Sequence, residues 1–379
     1  MNAAGGDASG IREATAAELA DWDSVTVEAP GGHVYQSRAW AAHRSKSGWQ
    51  PRFLVGDDGG RTLALVRPWP FIRGASAYVP RGPVASGADG PLHGERLIAI
   101  ADTLAADGVD VVAADPEVPA AQRSFRSTIE AAGFRPIEEI QPSRHRISLP
   151  LGPTADETGV FEGVSKSTRQ RIRGAEKAGV VVVRHDSRTE GDGPDGAGEG
   201  FVLPAEPADA AFDRFYDLLL ETGARKQFSF GPRAGFVAWW RAALDAGHLV
   251  YLEARADTAG GEPLAGLVLY RHGGRLSTVH SGDHAESRTS HPGALHLLRW
   301  RAIELAIREG SSEMDLGGVD VPGARGEPAE GDPLYGLYQH KTSFGARWLE
   351  LTGAHERISD ARGYQAGRLA SRVARVFGR

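Results

Sequence analysis

The sequence contains no cysteine, which excludes disulfide bonds, thiolate-bound zinc and a thiol nucleophile. It also lacks any apolar run approaching the ~18 residues that a membrane-spanning helix needs. The N-terminal segment has no basic stretch followed by an apolar one, so it does not resemble a secretory signal. We therefore expect a soluble protein of the cytoplasm.

Several motifs of nucleotide and hydrolytic chemistry are missing as well. No lysine follows a glycine, so there is no Walker-type phosphate loop, and no G-x-S-x-G elbow is present. His355-Glu356 has no second histidine to complete H-E-x-x-H. Four histidines near Asp283 are interpreted as turn or surface residues: His280, His284, His291 and His296. No metal and no cofactor is predicted.

Length and charge give broad limits on what the chain can be. At ~100–200 residues per domain, 379 residues predict two domains or one large one. The net charge of −6 gives no global basic signal for nucleic acid, and DNA is not expected as a partner. Only five of the 43 cationic side chains are lysines: Lys46, Lys166, Lys177, Lys226 and Lys341.

Helix and strand patterns alternate along the chain and follow a similar order twice, which predicts a mixed α/β fold. The predicted helices are 91–107, 122–132, 167–178, 208–222, 234–246 and 293–309. The predicted strands are 53–55, 63–67, 110–115, 144–151, 180–186, 248–255, 264–270, 275–280 and 311–318.

An acidic insert separates parts of the second half. Residues 186–209 contain seven acids and one arginine, and five of the ten residues 191–200 are glycine. This composition predicts a mobile, solvated loop.

The run 165–180 carries a basic stripe. Lys166, Arg169, Arg173 and Lys177 recur at helical spacing, and with Arg171 they give five cations against Glu176. The stripe predicts either a solvated helix face or a surface that binds a polyanion such as RNA.

A second basic stripe lies near the C-terminus. Arg368, Arg372, Arg375 and Arg379 follow helical spacing beside Leu369, Val373, Val376 and Phe377. Such a helix is expected to dock on the body of the protein, or to lie against RNA or an anionic membrane surface.

Together these runs resemble the Fem family of aminoacyltransferases, over nearly the whole chain. The matching segments are YQSRAWAAHRSKSGWQP (35–51), YVPRGPV (78–84), ADPEV (114–118), KSTRQRIRGAEKAGV (166–180), HPGALHLLRWRAIELAIREG with MDLGG (291–318) and GLYQHKTSFG (336–345). His340 stands where the family usually has an aromatic residue.

The resemblance implies two tandem GNAT-like domains. The first would comprise 1–150 and 346–379, because the C-terminal segment of the family returns to it, and the second would comprise 151–345 with the mobile loop 186–209. It also implies transfer of an amino acid from aminoacyl-tRNA to an amine on the stem peptide of a peptidoglycan precursor. No coiled-coil arm fits within 222–240, so the chain is of the armless type.

Site residues follow from the same resemblance. Lys341 matches the family lysine near the transferred acyl group, and Asp115 matches an aspartate once considered for amine activation. The residues expected at the precursor or acyl site are Arg44, Arg225, Lys226, His340 and Phe344, and those expected on tRNA are Lys166, Arg169, Arg173 and Lys177.

Three alternatives remain open. The first is an acyl-CoA acyltransferase of similar fold, although no pyrophosphate loop precedes the helix at 293–309. The second is a non-catalytic RNA-binding protein, which would leave the Lys341 motif without a purpose. The third is the same transfer chemistry in antibiotic assembly. The amino acid transferred and the carrier of the acceptor, nucleotide or lipid, are not fixed by the sequence.

Overall fold

A computed structural model describes residues 10–84, 90–141, 144–188, 197–226, 229–319 and 326–376. The chain divides into two compact units. Unit 1 comprises 1–144 together with 350–379, and unit 2 comprises 145–349. No helix among the described residues is both long and apolar enough to cross a membrane.

Twelve α-helices and fourteen strands lie in the described residues. The helices are α1 Ala16–Ala20, α2 Arg38–Ser45, α3 Gly90–Ala106, α4 Arg123–Ala131, α5 Glu157–Gly163, α6 Lys166–Lys177, α7 Ala208–Lys226, α8 Arg233–Asp245, α9 Ser287–Ser290, α10 Ala294–Arg308, α11 Tyr335–Thr342 and α12 Ala361–Val376. The strands are β1 Ile11–Glu13, β2 Gln50–Gly56, β3 Arg61–Pro68, β4 Ala75–Val79, β5 Val109–Ala114, β6 Arg135–Pro136, β7 His145–Pro150, β8 Val180–Asp186, β9 Leu249–Ala256, β10 Pro263–His272, β11 Arg275–Asp283, β12 Glu313–Asp315, β13 Arg347–Glu350 and β14 His355–Ile358.

Each unit is built on one seven-stranded sheet, and the two sheets repeat the same plan. The strand order is β1-β2-β3-β4-β5-β14-β6 in unit 1 and β13-β7-β12-β11-β10-β9-β8 in unit 2. In each sheet an antiparallel meander is followed by a helix and then by one parallel pair, β4–β5 or β11–β12. In each sheet the sixth strand of this plan comes from a different stretch of chain: β14 enters unit 1, and β7 enters unit 2.

Side-chain alternation along β9 explains the layers of unit 2. Val250, Leu252 and Ala254 belong to the core that also contains residues of α6 and α10. Tyr251 points the other way and contacts the rings of Phe212 and Phe215 on α7. Because alternate strand residues face opposite sides of a sheet, this strand is covered by helices on both faces.

Most predicted elements are present within a few residues of their expected ends, but the acidic insert differs from its prediction. The part at 197–209 is not a free, solvated loop, because Ala197 and Phe201 are buried in the core of unit 2. Val202 forms a parallel bridge with Val183 of β8. The remainder of the insert, 189–196, lies outside the described residues.

Candidate functional site

Lys341 lies on α11 and is only 5% exposed. Its Nζ donates a hydrogen bond to the carbonyl of Gly318, at 2.7 Å. That carbonyl belongs to the turn after β12, where Asp315 Oδ1 accepts a bond from the backbone N–H of Gly317. The ammonium of Lys341 is therefore held against the end of a strand.

The turn beside Lys341 requires glycine. Gly317 has φ +75°, and a Cβ there would lie 2.7 Å from the carbonyl oxygen of Thr278 and 3.3 Å from Lys341 Nζ. Both distances are tighter than ordinary van der Waals contact, so a side chain would push the turn away from the lysine.

His340, the neighbour of Lys341, is part of a buried hydrogen-bond chain. Arg299 Nε donates to His340 Nε2 at 2.9 Å, and His340 Nδ1 lies 3.1 Å from His296 Nε2. Because the guanidinium can only donate, Nε2 of His340 must accept and Nδ1 must carry the proton. His340 then donates to His296, so both rings are neutral and their tautomers are fixed.

Burial determines the protonation states within this hydrogen-bond chain. Burial lowers the pKa of His296 to about 4, with Arg171 and Arg299 adding to the effect, and it lowers the pKa of His340 further. Burial also lowers the pKa of Arg299 to about 10. Both Nη atoms of Arg299 are without a hydrogen-bond partner among the described residues.

Phe344 packs against His340 on the side of the protein core. Its side chain is fully buried in the core of unit 2, and its ring packs edge-on against His340 at a centroid distance of 5.6 Å. In this structure Phe344 supports His340 and does not itself present a surface to a ligand.

The N-terminus of α6 is fixed next to α11. Ser165 caps α6 and its N–H donates to the carbonyl of Ser343, while the hydroxyls of Thr168 and Ser343 are hydrogen-bonded at 2.8 Å. The basic stripe of α6 therefore begins beside Ser343, which is two residues along the chain from Lys341.

The four cations of the stripe have different environments. Arg169 donates to the carbonyl of Glu162, and Arg173 lies over the ring of Phe161 at 5.3 Å. Both arginines thus brace α5 against α6. Lys166 and Lys177 are exposed and have no ion pair among the described residues.

Arg225 is held by acidic neighbours. Its guanidinium bonds Asp283 Oδ1 and the Asp283 carbonyl from one nitrogen, and Glu221 from another. Arg288 binds the same aspartate, and Glu221 also bonds His284. In this conformation the charge of Arg225 is already engaged by carboxylates, and its place at the precursor site stays a prediction. The side chain of Lys226 lies outside the described part of the chain.

Asp115 lies just beyond the end of β5 in unit 1 and is 2% exposed. Its carboxylate accepts bonds from the Tyr78 hydroxyl at 2.9 Å and from the backbone N–H of Arg81 at 2.7 Å. Burial raises the pKa of Asp115 to about 6, although the Arg81 charge acts in the opposite direction. The carboxyl therefore titrates in a range useful for proton transfer.

Arg44 lies at the last turn of α2 in unit 1. Its guanidinium stacks on Trp40 at 5.3 Å and on Trp49 at 5.4 Å. Burial lowers the pKa of Arg44, and its Nε has no partner among the described residues. The two indoles therefore hold the guanidinium in place, and its Nε remains able to donate a hydrogen bond.

Unit 2 brings Lys341, His340 and Phe344 together with the start of the α6 stripe, whereas Arg44 and Asp115 belong to unit 1. Sequence reasoning missed Arg299 and the pairing of His296 with His340. It also placed Arg171 off the stripe, yet the Arg171 charge acts on both histidines. None of these contacts has a local signal, because each joins segments far apart in sequence. No group of three potential metal ligands occurs among the described residues.

A family model described as an acetyltransferase (GNAT) domain matches residues 164–341. Among solved structures, FemX is similar over 94% of this chain and 99% of its own, with a TM-score of 0.74 and 18% identity. L-PGS from Bacillus licheniformis covers 95% of this chain and 98% of its own, with a TM-score of 0.49 and 12% identity. A search of curated protein sequences gave no match. The chain therefore has a Fem-type fold, with two GNAT-like units in tandem.

Proposed function

We propose that this Fem-type fold is that of an aminoacyltransferase, which transfers an amino acid from aminoacyl-tRNA to an amine of a peptidoglycan precursor stem peptide. The observation that carries the proposal is Lys341, a buried ammonium held by Gly318 at the end of a strand. Its position within the GLYQHKTSFG segment agrees with the Fem resemblance. Aminoacyl-tRNA is made in the cytoplasm, which is the compartment we propose.

The chemistry needs little beyond placement and one positive charge. The acceptor amine forms a C–N bond to the ester carbonyl, the C–O bond to the ribose breaks, and the amine proton ends on the ribose oxygen. Negative charge develops first on the carbonyl oxygen and then on the leaving oxygen. A fixed ammonium next to these atoms stabilises the transition state more than the ground state.

Groups from each unit are assigned further roles in this proposal. The neutral His340–His296 pair gives the acyl site a polar wall without adding charge, because burial lowers the pKa of both histidines. Asp115, with its raised pKa, is the candidate acceptor for the amine proton. Arg44 is the candidate partner of the precursor phosphates, because its Nε is unsatisfied and its plane is fixed by two indoles.

The tRNA is proposed to follow α6. Its first turn is joined to Ser343, so a strand of RNA that places its acylated end at Lys341 would pass the exposed Lys166. Lys177 lies about three turns further along the same helix. Arg169 and Arg173 contribute mainly by bracing α5, which changes the emphasis drawn from the sequence.

An acyl-CoA acyltransferase is the competing proposal, since the matching family model is an acetyltransferase domain. The backbone packed beside the N-terminus of α10 argues against binding of acyl-CoA. The carbonyl of Arg171 lies 2.3 Å from where a Cβ of Gly293 would be, so the α6 backbone occupies the side of that helix end. A backbone acceptor beside the helix N-terminus is a poor neighbour for a pyrophosphate.

A reconstituted transfer assay separates the two proposals. Purified protein is incubated with charged tRNA pools and with either nucleotide-linked or lipid-linked precursor, and the product is followed by mass spectrometry. We expect activity that ribonuclease abolishes and that a chelator leaves unchanged. Activity that survives ribonuclease and needs only acyl-CoA would reject the tRNA-dependent proposal. Transfer to small amines but to neither precursor would move the same chemistry to antibiotic assembly.

A further inference from the structure

Unit 1 carries a concentration of exposed apolar side chains. Of the ten large apolar side chains described as exposed, five lie in two short segments of this unit. They are Phe71 at 65%, Ile72 at 40%, Leu369 at 63%, Val373 at 41% and Val376 at 82%, and are called the apolar rim below. Scattered exposed apolar residues are ordinary, but a cluster of this kind marks an interaction surface.

Helix α12 turns its larger apolar residues away from the protein. It is buried through Gly367 and Ala374, and a Cβ on Gly367 would lie only 2.2 Å from the ring of Trp69. Leu369, Val373 and Val376 recur at intervals of four and three residues, so they form one outward stripe. The helix thus docks by its smallest residues and leaves its leucine and valines in solvent.

The two segments of the rim flank a cationic cleft of about 870 Å³. Phe71 lines one side, and α12 lines the other with Arg368, Arg372 and Arg375. Arg67 is also part of the lining, which includes no carboxylate side chain among the residues that the structure describes. Arg67, Arg372 and Arg375 are exposed and have no ion pair among the described residues. In a chain of net charge −6, this is a local reversal of sign.

We propose that this face of unit 1 binds the surface of a lipid bilayer rich in anionic lipids. The apolar rim enters the boundary between headgroups and acyl chains, and the arginines of the cleft bind lipid phosphates. A helix with adjacent apolar and arginine stripes is suited to lie in the plane of such an interface. This inference goes beyond the transfer reaction, which can proceed on a soluble acceptor.

The charge pattern favours a bilayer over other occupants. A second copy related by a two-fold axis would bring Arg372 and Arg375 towards the same residues of its partner, and the described lining of the cleft offers no carboxylate to neutralise them. Single-stranded RNA is bound by cations and aromatic platforms, and it gives no reason to expose leucine and valine. Anionic lipid satisfies both the arginines and the aliphatic stripe.

Co-sedimentation with vesicles tests the proposal. The full chain is mixed with phosphatidylcholine vesicles, with and without phosphatidylglycerol, over a range of salt concentrations. We expect binding that requires phosphatidylglycerol and weakens with salt. Leu369→Ser/Val373→Ser/Val376→Ser and, separately, Arg372→Glu/Arg375→Glu should each weaken binding about tenfold or more. All these positions are exposed, so thermal melting is expected to be unchanged.

Matched controls are available elsewhere on the surface. Leu203→Ser/Leu220→Ser removes two exposed leucines of unit 2, and Arg123→Glu reverses an exposed arginine of α4; both should bind vesicles like the parent. Three results would overturn the proposal. They are absence of binding to anionic vesicles, unchanged binding of the triple serine variant, and a dimer in light scattering that this triple variant dissociates. Loss of tRNA binding in the arginine variant without any vesicle binding would assign the face to RNA instead.

Discussion

At the scale of single residues, the chemistry of the proposed site depends on where one ammonium is held. Lys341 is buried, and its Nζ donates a hydrogen bond of 2.7 Å to a backbone carbonyl. A lysine is a compact point charge, whereas arginine is a larger planar fork, so we do not expect arginine to reproduce the same contact. Because lysine is rare in this chain, its presence at position 341 favours a specific need for a compact charge.

Replacing Lys341 tests this role directly. Lys341→Met should fold, because methionine fills a similar volume, and should lose about 10²–10³ in turnover, as expected when one fixed donor at an oxyanion is removed. Lys341→Arg should recover only part of the rate. Lys46→Met, at an exposed lysine of unit 1, serves as the matched control and should keep its turnover. Near-normal turnover of a folded Lys341→Met enzyme would reject the assignment.

Asp115 gives a prediction about pH and stability. Burial raises its pKa to about 6, above the usual ~3.9. Between these values the folded protein holds a proton that the unfolded chain has released, so the contribution of Asp115 to stability falls as pH rises. From pH ~4 to ~7, the free energy of unfolding of the parent should therefore fall by roughly 2 kcal/mol relative to Asp115→Asn.

Urea unfolding at a series of pH values measures this difference. Glu95→Gln, at an exposed carboxyl on α3, is the control and should run parallel to the parent. If Asp115→Asn also ran parallel, the carboxyl would have no raised pKa in the folded protein. Transfer assays on the same variant show whether the acidic limb of the rate profile, expected near pH ~6, depends on this group.

At the scale of elements, α6 is both a structural brace and a proposed RNA surface. Two of its cations are engaged with α5, and two are exposed. A stripe that looks uniform in sequence is therefore divided in structure. Helical spacing identifies the face on which the cations lie, but it does not show which of them contact a neighbouring element.

Reversing the two exposed lysines should weaken tRNA binding without unfolding the protein. Lys166→Glu/Lys177→Glu is expected to lower the slope of log affinity against log salt by about 2, since each lost phosphate contact releases about one counterion fewer. Filter binding over a salt series measures the slope. Arg123→Glu, in unit 1, should leave it unchanged. By contrast, Arg169→Glu/Arg173→Glu should also lower the melting temperature, because it removes contacts that hold α5.

The end of the acidic insert offers an element-scale prediction about stability. Phe201 is in the core of unit 2 and Arg184 lies over its ring at 5.6 Å, so Phe201→Ala should cost about 3–5 kcal/mol. Leu203→Ala, two residues further on and 47% exposed, should cost little. Denaturant unfolding of both variants gives the comparison. Equal, small effects would restore the solvated-loop interpretation of this segment.

At the scale of the whole molecule, local patterns predicted much more than long-range pairing. The helix expected over 91–107 is α3, and the strand expected over 110–115 is β5, each displaced by a single residue. Apolar periodicity and terminal glycines carry that information. The insertion of β14 between β5 and β6 has no local signature, and only the family resemblance suggested that the C-terminal segment returns to the first domain. The histidine chain beside Lys341 was missed for the same reason, because Arg299 and His340 are 41 residues apart in sequence.

Removing the returning segment tests its importance to unit 1. Without residues 350–379 the sheet loses β14, which pairs with β5 on one side and β6 on the other. The amides of β5 should then lose protection in hydrogen exchange, while those of β9 and β10 in unit 2 stay protected. Deleting only α12, by ending the chain at Asp360, keeps β14 and should preserve the β5 amides. Protection of β5 in the longer truncation would contradict this picture.

The same crossing of strands has a consequence for biosynthesis. When the ribosome has made β5, the neighbour that will pair with it is still more than 200 residues from being translated, since β14 begins at His355. At ~5–20 residues per second the nascent sheet waits on the order of ten seconds or more with that strand edge unpaired. Unit 2 waits in a similar way, because β7 pairs with β12 and β13, which begin only at Glu313 and Arg347. We therefore expect each half to keep an unpaired strand edge until late in translation, and chaperones to protect both halves until then.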